Sequence, residues 1–515
     1  VPTDTGVEAT PGQARPSGGG AGRLGAAALV EQVLDADSWR SWDEPPEQPA
    51  DISDDYRRDL AQAQQRAGTD EAVITGRGSI AGRPVAVIVG EFRFLAGSIG
   101  HAASARLVRA IERATREGLP LLAAPASGGT RMQEGTPAFV GMVKIAAAIA
   151  RHKAAGLPYI VYLRHPTTGG VFASWGSLGH FTAAEPGALI GFLGPRVYEA
   201  LYGRAFPEGV QRSENLVARG LIDATLEVGE LAGVASEILD ILMTPREQLP
   251  QLPELPKERL TDRPAWDSVL RSRRPDRPGV RTLLRLGASS VIPLSGTGEG
   301  ERDESVLLAL VKFGETPCVL LGQDRRHQAA GQPLGPAALR EARRGMRLAQ
   351  ELQLPLVSVV DTAGADLSRE AEEGALAGEI ARCLSDLVTL AAPTVSVLLG
   401  EGTGGGALAL LPADRVICAE HAWLSPLPPE GAAAIVHRDV GRAAEMAEAQ
   451  QVRSVDLLRR GIVDRIVAEP QDAADDPEAF CRRVAHVLQY EVGQVMRDDP
   501  ATRLSSRLAR YDALG

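Results

Sequence analysis

The sequence predicts an α/β protein in which one unit is built twice. Gly118-Leu119-Pro120-Leu121 and Gln353-Leu354-Pro355-Leu356 stand 235 residues apart. The same offset carries Pro158 to Pro393, Thr168-Gly169-Gly170 to Thr403-Gly404-Gly405, and Ala184-Glu185 to Ala419-Glu420. Further on, Gly220-Leu221-Ile222-Asp223 matches Gly461-Ile462-Val463-Asp464 at an offset of 241, so six residues entered the second copy in between. A fixed period of this kind marks an internal duplication. In each copy helical patterns alternate with apolar, β-branched runs, the pattern of a parallel sheet covered by helices.

Taken in order, residues 1–24 have the composition of a disordered tail. From Ala26, AAALVEQVLDADSWRSWD reads as a short amphipathic helix, and ITGRGSIAGRPVAVIVGEF as two strands joined by a Gly-containing turn. The first copy continues with a helix over 103–117, the strand LPLLAAPA, a helix over 139–155, the strand LPYIVYLR, a Gly-rich turn and a third strand over 188–192. The second copy has a helix over 337–352, the strand LPLVSVVDT, a helix over 375–390, the strand APTVSVLLG, a Gly-rich turn and a third strand over 415–419. Seven prolines between Thr244 and Arg281 mark a linker leading into the second unit. The expected division is a tail over 1–24, an N-half over 25–243, a Pro- and charge-rich linker with the start of the second unit over 244–281, and a C-half over 282–515. A linker of this kind is expected to leave the halves separately packed.

The net charge of −11 argues against nucleic acid as the main partner. Four cysteines lie far apart with no C-x-x-C pair, which indicates neither a zinc ribbon nor a disulfide framework and suits a reducing cytosol. The longest mainly apolar stretch, 387–399, is short and broken by Pro393, so no membrane span is expected. Aromatic residues make up only 4% of the chain while Gly numbers 55 of 515, so the cores are aliphatic and backbones approach closely in places.

The sharpest local features are the two Gly-rich turns, Thr167-Thr168-Gly169-Gly170-Val171 and Gly402-Thr403-Gly404-Gly405-Gly406-Ala407. Each follows an apolar strand and precedes small residues able to start a helix. Adjacent glycines let successive N–H groups face one space without a Cβ in the way, which makes an anion or oxyanion site as readily as a tight packing turn. Gly402-x-Gly404-x-x-Ala407, with Glu420 beyond it, also fits a dinucleotide fingerprint, but Pro412 interrupts the helix that motif needs. In Ser127-Gly128-Gly129-Thr130-Arg131, two amides and a guanidinium suit phosphate or carboxylate, although Arg131 equally suits a surface pair with Glu134. The loop Asp361-Thr362-Ala363-Gly364-Ala365-Asp366 reads as structural. Basic clusters at Arg271, Arg273, Arg274 and Arg277, and at Arg340, Arg343, Arg344 and Arg347, read as solvated surfaces rather than phosphate sites. The histidines show no metal-ligand spacing.

SGGTRMQEG (127–135), LPYIVYLRHPTTGGVFAS (157–174) and AEPGALIGFLGPRV (184–197) resemble the β subunit of bacterial acetyl-CoA carboxylase carboxyltransferase. WDSVLRSRRPDRPGVRTLL (266–284), EGTGGGALAL (401–410) and SPLPPEGAAAIV (425–436) resemble its α subunit. The whole is similar to the fused single-chain carboxyltransferases of actinobacterial acyl-CoA carboxylases. That resemblance implies a crotonase-like β-β-α superhelix in each half. It also implies transfer of a carboxyl group from carboxybiotin, on a separate carrier protein, to the α-carbon of acetyl-CoA or another short acyl-CoA. Amides around Gly169, Gly170 and Val171 would face biotin. Those of Gly405, Gly406 and Ala407 would hold the thioester enolate, in a register that the 235 offset moves back by one residue. Ser127, Gly128, Gly129 and Arg131 would line the CoA site. The biotin carboxylase and carrier would come from a partner chain, no metal would be needed, and a dimer-based homo-oligomer, up to a hexamer, would complete each site. Two other readings stay open: a malonyl-thioester decarboxylase of the same fold and a non-catalytic scaffold subunit. The chain departs from the resemblance at its cysteine-free N-terminus, at Asp361-Thr362-Ala363-Gly364 and at Leu427-Pro428-Pro429-Glu430.

Overall fold

The computed structural model describes residues 24–48, 52–245, 249, 251–256 and 259–513. Apart from Leu24, the tail expected over 1–24 lies outside the described residues, as do parts of the linker. Two sheets have matching order. The first runs Arg40–Ser41, Val73–Ile80, Arg83–Gly90, Leu121–Ala124, Tyr159–Leu163, Phe181–Ala184, Ala224–Thr225. The second runs Ser290–Leu294, Val306–Phe313, Thr316–Gln323, Leu356–Thr362, Thr394–Thr403, Arg415–Ala419, Arg465–Val467. In each, the first three strands are antiparallel and the rest parallel.

Local chemistry explains these elements. Val73–Ile80 and Arg83–Gly90 are joined by Ala81 and Gly82, both at positive φ (49° and 77°), which matches the twist of a two-residue hairpin. The central parallel strands Leu121–Ala124 and Tyr159–Leu163 are buried along their whole length, as expected of strands covered on both faces. The helices His101–Arg116 and Pro336–Glu351 occupy equivalent positions, each starting after a Gly N-cap. Isolated parallel β-bridges repeat the period: Ile99 with Thr130, and Leu334 with Ala365. Asp54–Ala67, a helix capped by Ser53 and closed by left-handed Gly68, was not anticipated.

Three expectations are corrected. The stretch read as a helix from Ala26 is helical only to Val33, and Arg40–Ser41 within it is an edge strand paired with Val73–Ile80. The third parallel strand of the first sheet is Phe181–Ala184, not 188–192. The apolar pattern favoured the later stretch, but the offset from 415–419 points to 180–184. Ile190–Gly191 pairs instead with Thr167–Thr168 in a small sheet of its own, just as Trp423–Ser425 pairs with Glu401–Thr403.

The halves are also not separately packed. The helix Val228–Leu242 touches strands of both sheets, and one hydrophobic core runs through residues of both. Asp223 accepts from the Ser295 amide (3.0 Å) and from Arg344 (2.8 Å), and Lys312 pairs with Asp240 at 2.8 Å. Within the expected linker, the helix Ala265–Ser272 already packs on the C-half, with Val269 among its buried residues.

Glu341 sits beside this junction, 3% exposed, accepting from the Gly296 amide at 3.2 Å. Burial pushes its carboxyl up to about 7, against 4.5 for the ordinary group. The folded state therefore binds more protons than the unfolded state between these values, so stability falls as pH rises through that window. Relative to Glu341→Gln, the wild-type chain should lose stability between pH 4.5 and about 7. Urea unfolding across that range checks this, and a constant difference would contradict it.

Candidate active site

The two Gly-rich turns hold equivalent positions at the carboxyl ends of their sheets. Thr168 and Thr403 are the extended N-caps, and Gly169 and Gly404 are the first helical residues at φ 64° and 65°. The short helices Gly169–Phe172 and Gly404–Leu408 follow. The first-turn amides of a helix have no partner within it. Among the described residues, the amides of Gly170 and Val171 make no hydrogen bond, nor do those of Gly405 and Gly406. Gly169 donates to the Phe192 carbonyl at 3.0 Å. Position by position, the counterparts of Gly169, Gly170 and Val171 are thus Gly404, Gly405 and Gly406. Ala407, buried, corresponds to Phe172.

A second loop presses on each turn. A Cβ on Gly129, whose φ is 111°, would lie 3.4 Å from the Gly169 Cα, and one on Gly406 would lie 3.3 Å from the Ala365 amide nitrogen. Thr130 and Ala365, equivalent in the duplication, likewise carry amides without an acceptor among the described residues. Sequence reasoning missed this pair; the repeated offset applied to Thr130 was the signal available.

The loop expected to hold CoA is otherwise committed to the protein. The Gly128 amide donates to the Ala96 carbonyl (2.8 Å), the Gly129 amide to the Ser127 hydroxyl (3.0 Å), and that hydroxyl to the Gly97 carbonyl. Arg131 is fully buried. Both its terminal nitrogens donate to Glu71, at 2.7 Å each, one reaches the Ser98 carbonyl at 2.8 Å, and the group lies over the Phe94 ring. Its guanidinium is engaged within the chain and acts as a structural clamp, with Glu134, at 3.4 Å, a further partner. The backbone it secures includes Leu95, Ala96 and Gly97, three successive residues at positive φ.

The other candidates resolve similarly. The basic clusters are ion-paired rather than freely solvated: Arg277 with Glu469, Arg273 with Glu401 and Glu430, and Arg344 with Asp223. His165 accepts from the Leu189 amide at 3.0 Å. The dinucleotide reading fails, because the helix after Gly404 spans five residues and Glu420 accepts from the Thr261 and Glu469 amides. All four cysteines are buried thiols, and burial pushes Cys383 and Cys481 up to about 12. Among the described residues no group of His, Cys, Asp and Glu is placed to hold a metal ion, and no helix is long and apolar enough to cross a membrane.

Residues 22–504 match the model of the carboxyl transferase domain. The chain belongs to the carboxyl transferase family. Family members include the probable biotin-dependent acyl-coenzyme A carboxylase beta3 subunit of Mycobacterium tuberculosis, 58% identical over 96% of this chain and 99% of that protein. The acetyl-coenzyme A carboxylase carboxyl transferase subunits beta/alpha of Salinispora arenicola are 36% identical over 97% and 92%. The transcarboxylase 12S structure, from its hexamer assembly with methylmalonyl-coenzyme A bound, shares the fold at a TM-score of 0.71 with 22% identity, over 91% of this chain and 90% of that one. The two crotonase-like halves of the family are thus the two sheets described above.

The clamp gives a direct prediction. Arg131→Met strands the buried Glu71 carboxylate, and breaking a buried pair in this way costs about 3–5 kcal/mol. Denaturant unfolding should register that loss, and a change within experimental scatter would show that the pair does not hold the loop.

Proposed function

We propose that the chain is the carboxyltransferase component of a biotin-dependent acyl-CoA carboxylase, acting on acetyl-CoA or another short acyl-CoA to give malonyl-CoA or its homologue in the cytosol. The observation that carries this reading is the pair of open amide sets at equivalent Gly turns, in a chain of this family. Carboxybiotin on a separate carrier protein supplies the carboxyl group. The amides of Gly170 and Val171 bind one of the two oxygens on which negative charge collects, and those of Gly405 and Gly406 bind the other. These oxygens are the ureido oxygen of the biotin ring and the carbonyl oxygen of the thioester. Fixed donors aimed at such charge are commonly the largest catalytic term, about 2.7–4 kcal/mol for each donor. The departures at 361–364 and 427–430 leave both turns intact in geometry, which favours a working enzyme over a scaffold.

Assembly belongs to the same reading. The helix Pro195–Tyr202 exposes Val197, Leu201 and Tyr202, and its counterpart Pro429–His437 exposes Ile435 and Val436. Apolar faces of this kind beside both turns mark an interaction surface. A two-fold dimer that seats the N-half of one subunit on the C-half of the other uses one interface twice and brings the two kinds of turn together. The hexamer assembly named for the transcarboxylase supports an oligomeric reading. Within each subunit the N-half over 25–243 and the C-half over 282–515, the latter preceded by its start within 244–281, are the working units.

The test is carboxyl transfer by the purified chain with a biotinylated carrier and a series of acyl-CoAs. At Gly405 an added Cβ would meet only the end of the Ile380 side chain, at 2.9 Å, so the fold can accept Gly405→Val. That variant should fold normally and lose roughly a hundredfold in kcat; normal turnover would remove the assignment. Mixing a Gly169→Val, Gly170→Val chain with a Gly405→Val, Gly406→Val chain should restore part of the activity after subunit exchange. Only mixed dimers hold a site with both turns intact, so no recovery despite proven exchange would refute the paired arrangement.

A further inference from the structure

The carboxyl ends of the C-half strands Thr316–Gln323, Leu356–Thr362 and Thr394–Thr403 open onto a cavity of about 670 Å³, walled on its far side by the 273–278 segment. Small molecules gather at this edge of open α/β sheets, and the volume is that of an ordinary ligand site. No residue of the Gly404–Leu408 helix lines it. Its walls carry five guanidinium groups, from Arg273, Arg277, Arg285, Arg325 and Arg326.

Three of the five are held in place. Arg273 pairs with Glu401 and Glu430, Arg277 with Glu469, and Arg325 with Asp361 and the Ser272 carbonyl. Arg285 and Arg326 are exposed, and among the described residues neither side chain has an ion-pair or hydrogen-bond partner. Arg277, 3% exposed, also keeps a buried Nε–H without an acceptor. The carboxylates on the walls are already engaged: Asp276 by Arg274, Asp361 by Arg325 and the Glu401 amide, Glu401 by Arg273. Donors in excess, on a frame stiffened by ion pairs, suit a tetrahedral oxyanion that several guanidinium forks can grip.

We propose that this cavity is a binding site for a phosphate-bearing small molecule, separate from the amide sets of the Gly turns. Arg285 and Arg326 supply the mobile grips and Arg277 the buried donor. The arrangement is particular to the C-half. The segment after the equivalent N-half strand Arg83–Gly90 carries Arg93, paired with Glu91, and the left-handed turn Leu95–Gly97 where the C-half has the helix Arg325–Ala329.

Isothermal titration of the full chain at low salt, with inorganic pyrophosphate and with 3′,5′-ADP, tests the proposal. Binding at about millimolar Kd or tighter is expected, weakening with added salt. In an Arg285→Ser, Arg326→Ser double variant the affinity should fall about tenfold or more, with the melting temperature and kcat for carboxyl transfer unchanged. Preference for 3′,5′-ADP by about tenfold identifies a nucleotide, such as the end of a CoA, as the occupant; equal affinity identifies phosphate groups alone. No heat from either probe up to about 5 mM, or undiminished binding in the double variant, overturns the site. A fall in kcat at saturating acyl-CoA would place these arginines in the catalytic machinery and overturn its separateness.

Discussion

Backbone lying directly on backbone is the contact on which this architecture rests. Gly129 reaches Gly169 because neither carries a side chain between them, and Gly406 reaches the Ala365 amide in the same way. The turns held by these contacts keep N–H groups unpaired at half-buried (Gly170, Gly405) and buried (Val171, Gly406) residues. Leaving such donors unmade costs stability, so the arrangement persists only where neighbouring groups hold it. In the N-half that support is the buried Arg131–Glu71 pair, with Tyr56 and Ser98 around it. In the C-half it is lighter: Asp366, at the position of Arg131, accepts from the Ser368 amide, and the Thr362 hydroxyl donates to the Gln328 side-chain oxygen.

Duplication makes each half a control for the other. What both retain is the geometry of the turns: the extended threonine N-cap, the first glycine at positive φ, the pair of open amides, and the single bridge from the preceding loop. What they do not share is the chemistry around it. One half braces its loop with a buried ion pair behind strained left-handed residues, whereas the other opens an arginine-lined cavity at the same sheet edge. The two frames are thus alike in backbone and unlike in the side chains that surround them.

Much of this was legible in the sequence. The offset of 235 located both turns and the strands before them, because a repeated motif survives wherever a backbone must repeat. The same offset, applied consistently, also locates the strand at Phe181–Ala184; local apolar pattern misled because Ile190 is as buried as a core strand residue while pairing elsewhere. The role of Arg131 was not legible, since its partner Glu71 lies 60 positions away and no periodicity links them. The common core escaped notice for a related reason. The helix Val228–Leu242 buries Leu231, Ala235, Ile238, Leu239, Ile241 and Leu242, more than one face needs, but its sequence does not say which sheet each side meets.

That helix has a consequence for how the chain is held together. Because it lies against strands of both sheets, and because Asp223 and Asp240 bind Arg344 and Lys312 across the junction, the covalent connection through the proline-rich segment is not what keeps the halves adjacent. A chain cleaved between residues 244 and 264 would leave two polypeptides sharing one apolar interior, still docked as a single particle. In the intact chain, the covalent link sets the ratio of the halves and the shared interior sets their arrangement.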